Sequence, residues 1–198
     1  MQVLVVFCHP VRESFSRALL DRCVADLERA GHQVVVKDLY AEGFAPALST
    51  QERRDYEAVG RNQLAVAGEV AALKAARGLL LIYPTWWYGM PAMLKGWFDR
   101  VWLPGVAFDL DPKRGISTHA LSGVDRLMVV TTHGAPRWFI RLWMGDPGRK
   151  VMLRGLRPLL ARGCRASWSA LYAMDQSTPA QRGRFLDQVS RKLVLFAR

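Results

Sequence analysis

Residues 3–7 read VLVVF and residues 78–83 read GLLLIY, two short runs with no charged residue. A strand with one face in water alternates apolar and polar side chains, so an unbroken apolar run of this length fits a strand covered on both faces. Such strands are parallel, and parallel neighbours need crossover connections long enough to hold a helix. After the first run, Leu19, Leu20, Cys23, Val24 and Leu27 keep helical spacing and Gly31 suits a C-terminal cap. QVVVKDLY (33–40) reads as the second strand, AEGFAPALS (41–49) as irregular, and Gln51 to Arg77 as helix. Beyond the third strand, Pro91 opens a helix in which Leu94, Trp97, Phe98, Val101 and Trp102 form a stripe for core or subunit interface. RLMVVTTHG (126–134) predicts a strand and its loop, Arg149 to Arg162 a helix, ASWSALYAM (166–174) a strand and Thr178 to Phe196 a last helix. Five strands alternating with helices predict an α/β fold, a parallel sheet with helices on both faces, in one domain over residues 1–198.

A doubly wound sheet binds its ligand outside the carboxyl ends of its strands, where the strand order reverses. The loops that matter are therefore CHPVRESFSRA (8–18), YPTWWYG (83–89) and TTHGAP (131–136). The first leads into a helix and offers His9, Ser14 and Ser16 beside unpaired backbone N–H groups, the chemistry of an anion site; the alternative is that Ser14 or Ser16 only caps the helix. In the second, Trp86, Trp87 and Tyr88 cannot all face inward from one strand or helical face, so at least one ring is expected at the surface. An exposed ring there calls for a flat partner, unless the three fill core or a dimer contact. No G-x-G-x-x-G follows a strand and no G-x-x-x-x-G-K-[ST] occurs, which removes the main support for a Rossmann dinucleotide site or a P-loop. A phosphate loop beside an aromatic wall describes a flavin mononucleotide unit.

The formal charge is +11 and the pI about 10.2, with Lys and Arg spread from Arg12 to Arg198 and densest in GRKVMLRGLRPLLARGCR (148–165). The spacing suits a solvated helix face; a peripheral contact with a membrane, a transporter or another anionic partner stays open, and nucleic acid is not favoured. No apolar stretch is long enough to span a membrane, the start MQVLVVFCHP lacks signal-peptide features, and a cytoplasmic protein is expected. Cys8, Cys23 and Cys164 form no C-x-x-C or Cys/His cluster, so reduced, buried thiols and no metal site are expected.

HPxxxSFSxAL (9–19), DLYxxxFxPxLS (38–49), YPTWWYGMPAMLKGWFDRV (83–101) and TTHG (131–134) resemble the NAD(P)H:quinone oxidoreductases, which include short bacterial quinone reductases and the ancillary flavoproteins of potassium efflux systems. The resemblance covers about the first two thirds of the chain and implies a flavodoxin-like three-layer sandwich, a five-stranded parallel sheet in the order 2-1-3-4-5. It implies a homodimer that passes a hydride from NAD(P)H through flavin to a quinone-like acceptor in ping-pong fashion. Carried over, it puts His9, Ser14, Phe15 and Ser16 at the flavin phosphates, Pro84, Thr85, Trp86, Trp87 and Tyr88 along the isoalloxazine, and Thr131, Thr132, His133 and Gly134 near its pyrimidine edge. FAD is slightly favoured over FMN because DLYAEGFAPALS is similar to the FAD-binding members.

Vertebrate members handle the proton with a tyrosine and a histidine, and Phe139 and Gly145 stand near those places here. His133 and Tyr88 become the catalytic candidates, His133 because an imidazole titrates near neutral pH; the alternative is an exposed loop histidine without a role. Backbone N–H groups around His133 and Gly134 would stabilise negative charge. A second reading is a regulatory subunit on a transporter or other anionic partner, with oxidoreductase activity secondary.

Overall fold

The computed structural model describes residues 1–111, 115–117 and 120–197. Its centre is a parallel five-stranded sheet of β1 (Gln2–Phe7), β2 (Gln33–Asp38), β3 (Gly78–Pro84), β6 (Arg126–Thr132) and β7 (Arg165–Leu171), in the spatial order β2-β1-β3-β6-β7. Counting only these five, the order is 2-1-3-4-5, as the resemblance implied. β4 (Asp109–Asp111) and β5 (Gly115–Ser117) form a separate antiparallel pair that no sequence signal announced.

The unbroken apolar runs are explained by burial on both faces. Every residue of β3 is buried, and alternate residues of the strands enter two different cores. Leu4, Val6, Leu79, Leu81 and Val129 face α3 (Ala67–Ala75) and α4 (Ala92–Val101), whose Leu73, Leu94, Trp97 and Val101 are fully buried. Val3, Val5, Leu80, Ile82 and Val130 face α1 (Phe15–Arg29) and α6 (Pro179–Ala197), which contribute Leu19, Cys23, Leu27, Val189 and Leu193. The α4 stripe is therefore core within one chain: Trp97 meets Phe98 edge-on at 5.2 Å and Phe98 meets Trp102 at 4.9 Å. All three cysteines are free and buried.

Three boundaries differ from expectation. Residues 51–77 are not one helix but α2 (Thr50–Arg54), a 3₁₀ segment Arg61–Val66 and α3. Gly60, at φ +93°, breaks the path, and the buried Asn62 amide pins the turn by donating to Tyr56 O and Pro104 O, both at 3.0 Å. The helix expected over 149–162 is a short α5 (Pro147–Lys150), a wider π-type turn over Val151–Leu156 and a 3₁₀ turn Arg157–Leu159, where Pro158 cannot donate a helical hydrogen bond. The last strand stops at Leu171 rather than residue 174, because Ala173 adopts left-handed φ +51°.

The irregular stretch 41–49 packs on α4. Arg100 donates to Ala45 O and to Glu52, lies 5.2 Å from the Phe44 ring, and Glu52 completes a capping box with Ser49. Gly96 allows this approach: a Cβ there would stand 2.2 Å from Pro46 O. Gly96→Ala should thus destabilise the protein by about 1–3 kcal/mol through overpacking. Gly183→Ala, in the interior of α6 with open space around it, should stabilise by about 0.4–1 kcal/mol. Equal effects of the two substitutions in urea denaturation would contradict the close approach at Pro46.

Candidate flavin site at the carboxyl ends of the strands

β1, β3 and β6 run side by side in one direction, so the loops that leave them meet at one edge. There they line a cleft of about 460 Å³ with His9, Phe15, Ser16, Pro84, Thr85, Trp86, Trp87, Thr132, Gly134, Met174 and Asp175. A larger groove of about 860 Å³ lies along β7 and α6, but none of the three loops that carry the aromatic and anion-binding features lines it.

Ser14 caps α1, its Oγ accepting from Arg17 N at 3.2 Å, so the capping alternative holds for that side chain. Phe15 and Ser16 then occupy the first turn, where backbone N–H groups have no helical acceptor and the helix dipole favours an anion. His9 turns its Nδ1 to Val11, whose N–H donates to it at 3.0 Å. Val11 O lies 3.1 Å from the same nitrogen, so both backbone polar atoms of Val11 engage Nδ1, and Nε2 is the ring nitrogen left for a ligand.

Residues 86–89 form a two-residue reversal in which Trp86 N and Gly89 N each donate to the other's carbonyl at 3.1 Å. Trp87 (φ +49°) and Tyr88 (φ +64°) occupy its two central positions, both in the left-handed region where bulky residues are strained. Strain of about 1–3 kcal/mol per residue persists only where the surroundings enforce it. Here Thr85 N donates to Thr132 O at 2.8 Å, and the Thr85 and Thr131 hydroxyls pair at 2.8 Å. The conformation throws Trp87 outward, 94% exposed, leaves Trp86 42% exposed, and turns Tyr88 toward Phe139 at 6.1 Å. At least one ring was expected at the surface, and two, Trp86 and Trp87, are there.

His133 is not the exposed loop residue that was considered. Its side chain is buried and stacks on Tyr172 at 4.9 Å and 12°. Nε2 is 3.5 Å from Thr85 Oγ1, and Nδ1 is buried without a partner. Burial pushes its pKa down to about 4, so the ring is neutral at pH 7 and does not titrate there. Its backbone N–H donates to Leu171 O at 2.8 Å, whereas the N–H of the exposed Gly134, which lines the cleft, has no backbone acceptor among the described residues.

The structure thus brings His9, Phe15, Ser16, Pro84, Thr85, Trp86, Trp87, Thr132 and Gly134 together. Tyr88 and His133 line a neighbouring cavity of about 200 Å³ with Thr85, Trp87, Gly134, Ala135 and Ile140. Ser14 serves the helix, and Thr131 supports Thr85 from below. Met174 and Asp175 were missed, since the strand expected to run through residue 174 hid the loop that carries them; the Asp175 carboxylate would stand 2.9 Å from a Cβ at Gly134. None of residues 38–49, whose likeness favoured FAD, lines the cleft.

The donor set and the flat wall fit a flavin phosphate and ring, and comparison with known proteins identifies the family. A family described as having a flavodoxin-like fold matches residues 1–158. A ribosyldihydronicotinamide dehydrogenase-like protein of Penicillium crustosum is 35% identical over 156 residues, 68% of this chain and 58% of its own length, so the chain spans little more than half of that relative. Human ribosyldihydronicotinamide dehydrogenase [quinone] is 31% identical over 164 residues, covering 75% of this chain and 70% of its own. The solved NAD(P)H:quinone oxidoreductase from Methanothermobacter marburgensis superposes with a TM-score of 0.82 at 29% identity, over 98% of this chain and 97% of that one. With the sheet order, the three converging loops and these matches together, the chain belongs to the flavodoxin-like NAD(P)H:quinone oxidoreductase family.

Proposed function

We propose that this chain is a flavin-dependent NAD(P)H oxidoreductase that passes two electrons to quinones or similar electrophilic small molecules. The observation that carries the reading is one cleft shared by the open first turn of α1 and the exposed Trp86–Trp87 wall. The activities for which the relatives are named, quinone and ribosyldihydronicotinamide dehydrogenases, support it. They lend no comparable support to a chiefly regulatory role.

A bound flavin supplies the hydride chemistry. The chain's own residues do the rest. The N–H groups of Phe15 and Ser16, with His9 Nε2, would hold the flavin's phosphate; Trp86 would lie against its ring; the Gly134 N–H would offer a hydrogen bond that stabilises negative charge. Tyr88 and neutral His133 flank the smaller cavity, where an acceptor oxygen can take a hydrogen bond from either. His133 acts there as a dipole rather than as a store of protons. FAD remains the preferred cofactor, with FMN the alternative, and a homodimer would cover Trp87. Three free buried thiols suit a reducing, cytoplasmic setting.

The purified protein should be yellow, and denaturation should release intact FAD or FMN identifiable by mass. A colourless protein that takes up neither would remove the proposal.

Trp86→Ala should weaken flavin binding by about 1–3 kcal/mol. Trp87→Gly relieves a positive φ and should stabilise the flavin-free protein by about 1 kcal/mol while raising the acceptor's KM. If Trp87→Gly lowers the melting temperature and leaves KM unchanged, the ring is a structural support.

His133 gives a pH signature. Below pH 6.5 the unfolded chain gains a proton that the folded site, at about 4, refuses; stability should therefore fall as pH drops from 6.5 towards 4. His133→Asn should flatten that decline. In turnover, the same variant should keep more activity than His133→Ala, with no His133 ionisation visible between pH 6 and 8; a neutral-pH break that vanishes in both variants would restore the proton-donor role.

A further inference from the structure

The segment immediately beyond Gly134 buries less than its composition would lead one to expect. Over Phe139–Trp143 the chain makes a wide π-type turn, closed by Met144 N donating to Phe139 O at 2.9 Å. Ile140 from this turn and Met152 from the next anchor the segment in the protein. Yet Trp138 is 62% exposed, Leu142 82%, Trp143 77% and Val151 47%, so the apolar demand of the core does not account for them. Wide turns thus leave apolar side chains on the outer face as well as the inner one.

The same segment carries Arg137, Arg141, Arg149, Lys150, Arg154 and Arg157 against one carboxylate, Asp146, which is buried. All six cations are exposed, and none makes an ion pair with a carboxylate among the described residues. Elsewhere Arg17, Arg22, Arg29, Lys37, Arg77 and Lys95 are paired with Asp or Glu. Other exposed cations, Arg12, Arg53, Arg54 and Arg191 among them, also lack an ion pair among the described residues, so what sets this segment apart is six cations against one buried carboxylate in the company of exposed indoles. A solvated helix face explains exposed cations but not two exposed tryptophans and a leucine among them. A protein surface of opposite charge would satisfy the cations and leave the indoles in a polar contact.

We propose that residues 137–157 form a peripheral docking surface for an anionic phospholipid bilayer. Trp138, Leu142 and Trp143 enter the headgroup–acyl boundary, where indoles are favoured, and the ring of Arg and Lys meets the lipid phosphates. The surface adjoins the site: Trp138 packs against Phe139 at 5.7 Å, Phe139 faces Tyr88, and Ile140 lines the small cavity with Trp87. Docking sets that cavity against the membrane, where a lipid-soluble quinone dissolves. This last consequence rests on the function proposed above, whereas bilayer binding does not.

The test is co-sedimentation of the flavin-loaded protein with vesicles of phosphatidylcholine alone and of equal parts phosphatidylcholine and phosphatidylglycerol. Binding is expected to the second and not the first, and to weaken as salt is raised. Leu142→Ser with Trp143→Ser, and separately Arg141→Glu with Arg149→Glu, should each lower it by about tenfold or more. Both double variants should keep turnover with a water-soluble quinone and lose it with a long-chain quinone held in the vesicles. No binding to the anionic vesicles overturns the proposal, as does binding that neither double variant changes. A shift of the Leu142/Trp143 variant to a smaller species in analytical ultracentrifugation, without vesicle binding by the parent, would assign the surface to a second copy of the chain instead. Absence of turnover with every quinone, with vesicle binding intact, would count against the proposed function alone.

Discussion

The shared direction and register of β1, β3 and β6 set everything that follows. With β3 hydrogen bonded between the other two, Phe7 pairs with Ile82, and Tyr83 and Pro84 with Thr131 and Thr132, so the three loops leave the sheet within one width of it. The bond from Thr85 N to Thr132 O carries this order past the end of β3. It fixes the base of a turn that is unfavourable by itself, since both of its central residues are bulky and left-handed. A sheet packed on both faces can bear such strain because its strands have no room to shift. The exposed indoles are thus held in one arrangement by the sheet, which would lower the ordering cost of binding the flat ligand proposed above.

Burial divides the roles of the polar groups at this edge. Backbone N–H groups at the start of α1 and at Gly134 remain free, while those of Thr85 and His133 are committed to neighbouring strands and loops. His133 shows the effect of a low-polarity setting on a titratable ring: stacked on Tyr172 and short of hydrogen bonds, it is held neutral. A neutral donor that cannot ionise at pH 7 gives the site a fixed dipole. Phe139, which the resemblance sets near the place of a tyrosine, links Tyr88 to the exposed segment beyond it.

The net charge of +11 has two physical origins. Outside residues 137–157 some basic side chains, such as Arg17, Arg22 and Lys95, sit beside carboxylates in exposed pairs that contribute little to stability, while others, such as Arg12 and Arg191, have no ion pair among the described residues. Over residues 137–157 they have no such neighbours and share the surface with tryptophans. The wide turns of that stretch are the cause, because a regular helix would have rotated part of the apolar set into the core.

By itself the sequence determined the fold class, the five strands, the three loops and the exposure of the 86–88 aromatics, because each follows from local periodicity or from the impossibility of burying three adjacent rings. Motif likeness then carried the strand order and the flavin. Legibility failed where an outcome depended on distant partners. Gly60 and Asn62 divide the 51–77 segment through a hydrogen bond to Pro104, far along the chain. Met174 and Asp175 join the cleft because Ala173 turns left-handed beside β7. The neutral state of His133 depends on Tyr172, and the strain at Trp87 and Tyr88 on Thr132. Tertiary structure alone decided these, since burial, stacking and enforced backbone conformation are properties of the surroundings that a residue's own neighbours in sequence do not contain.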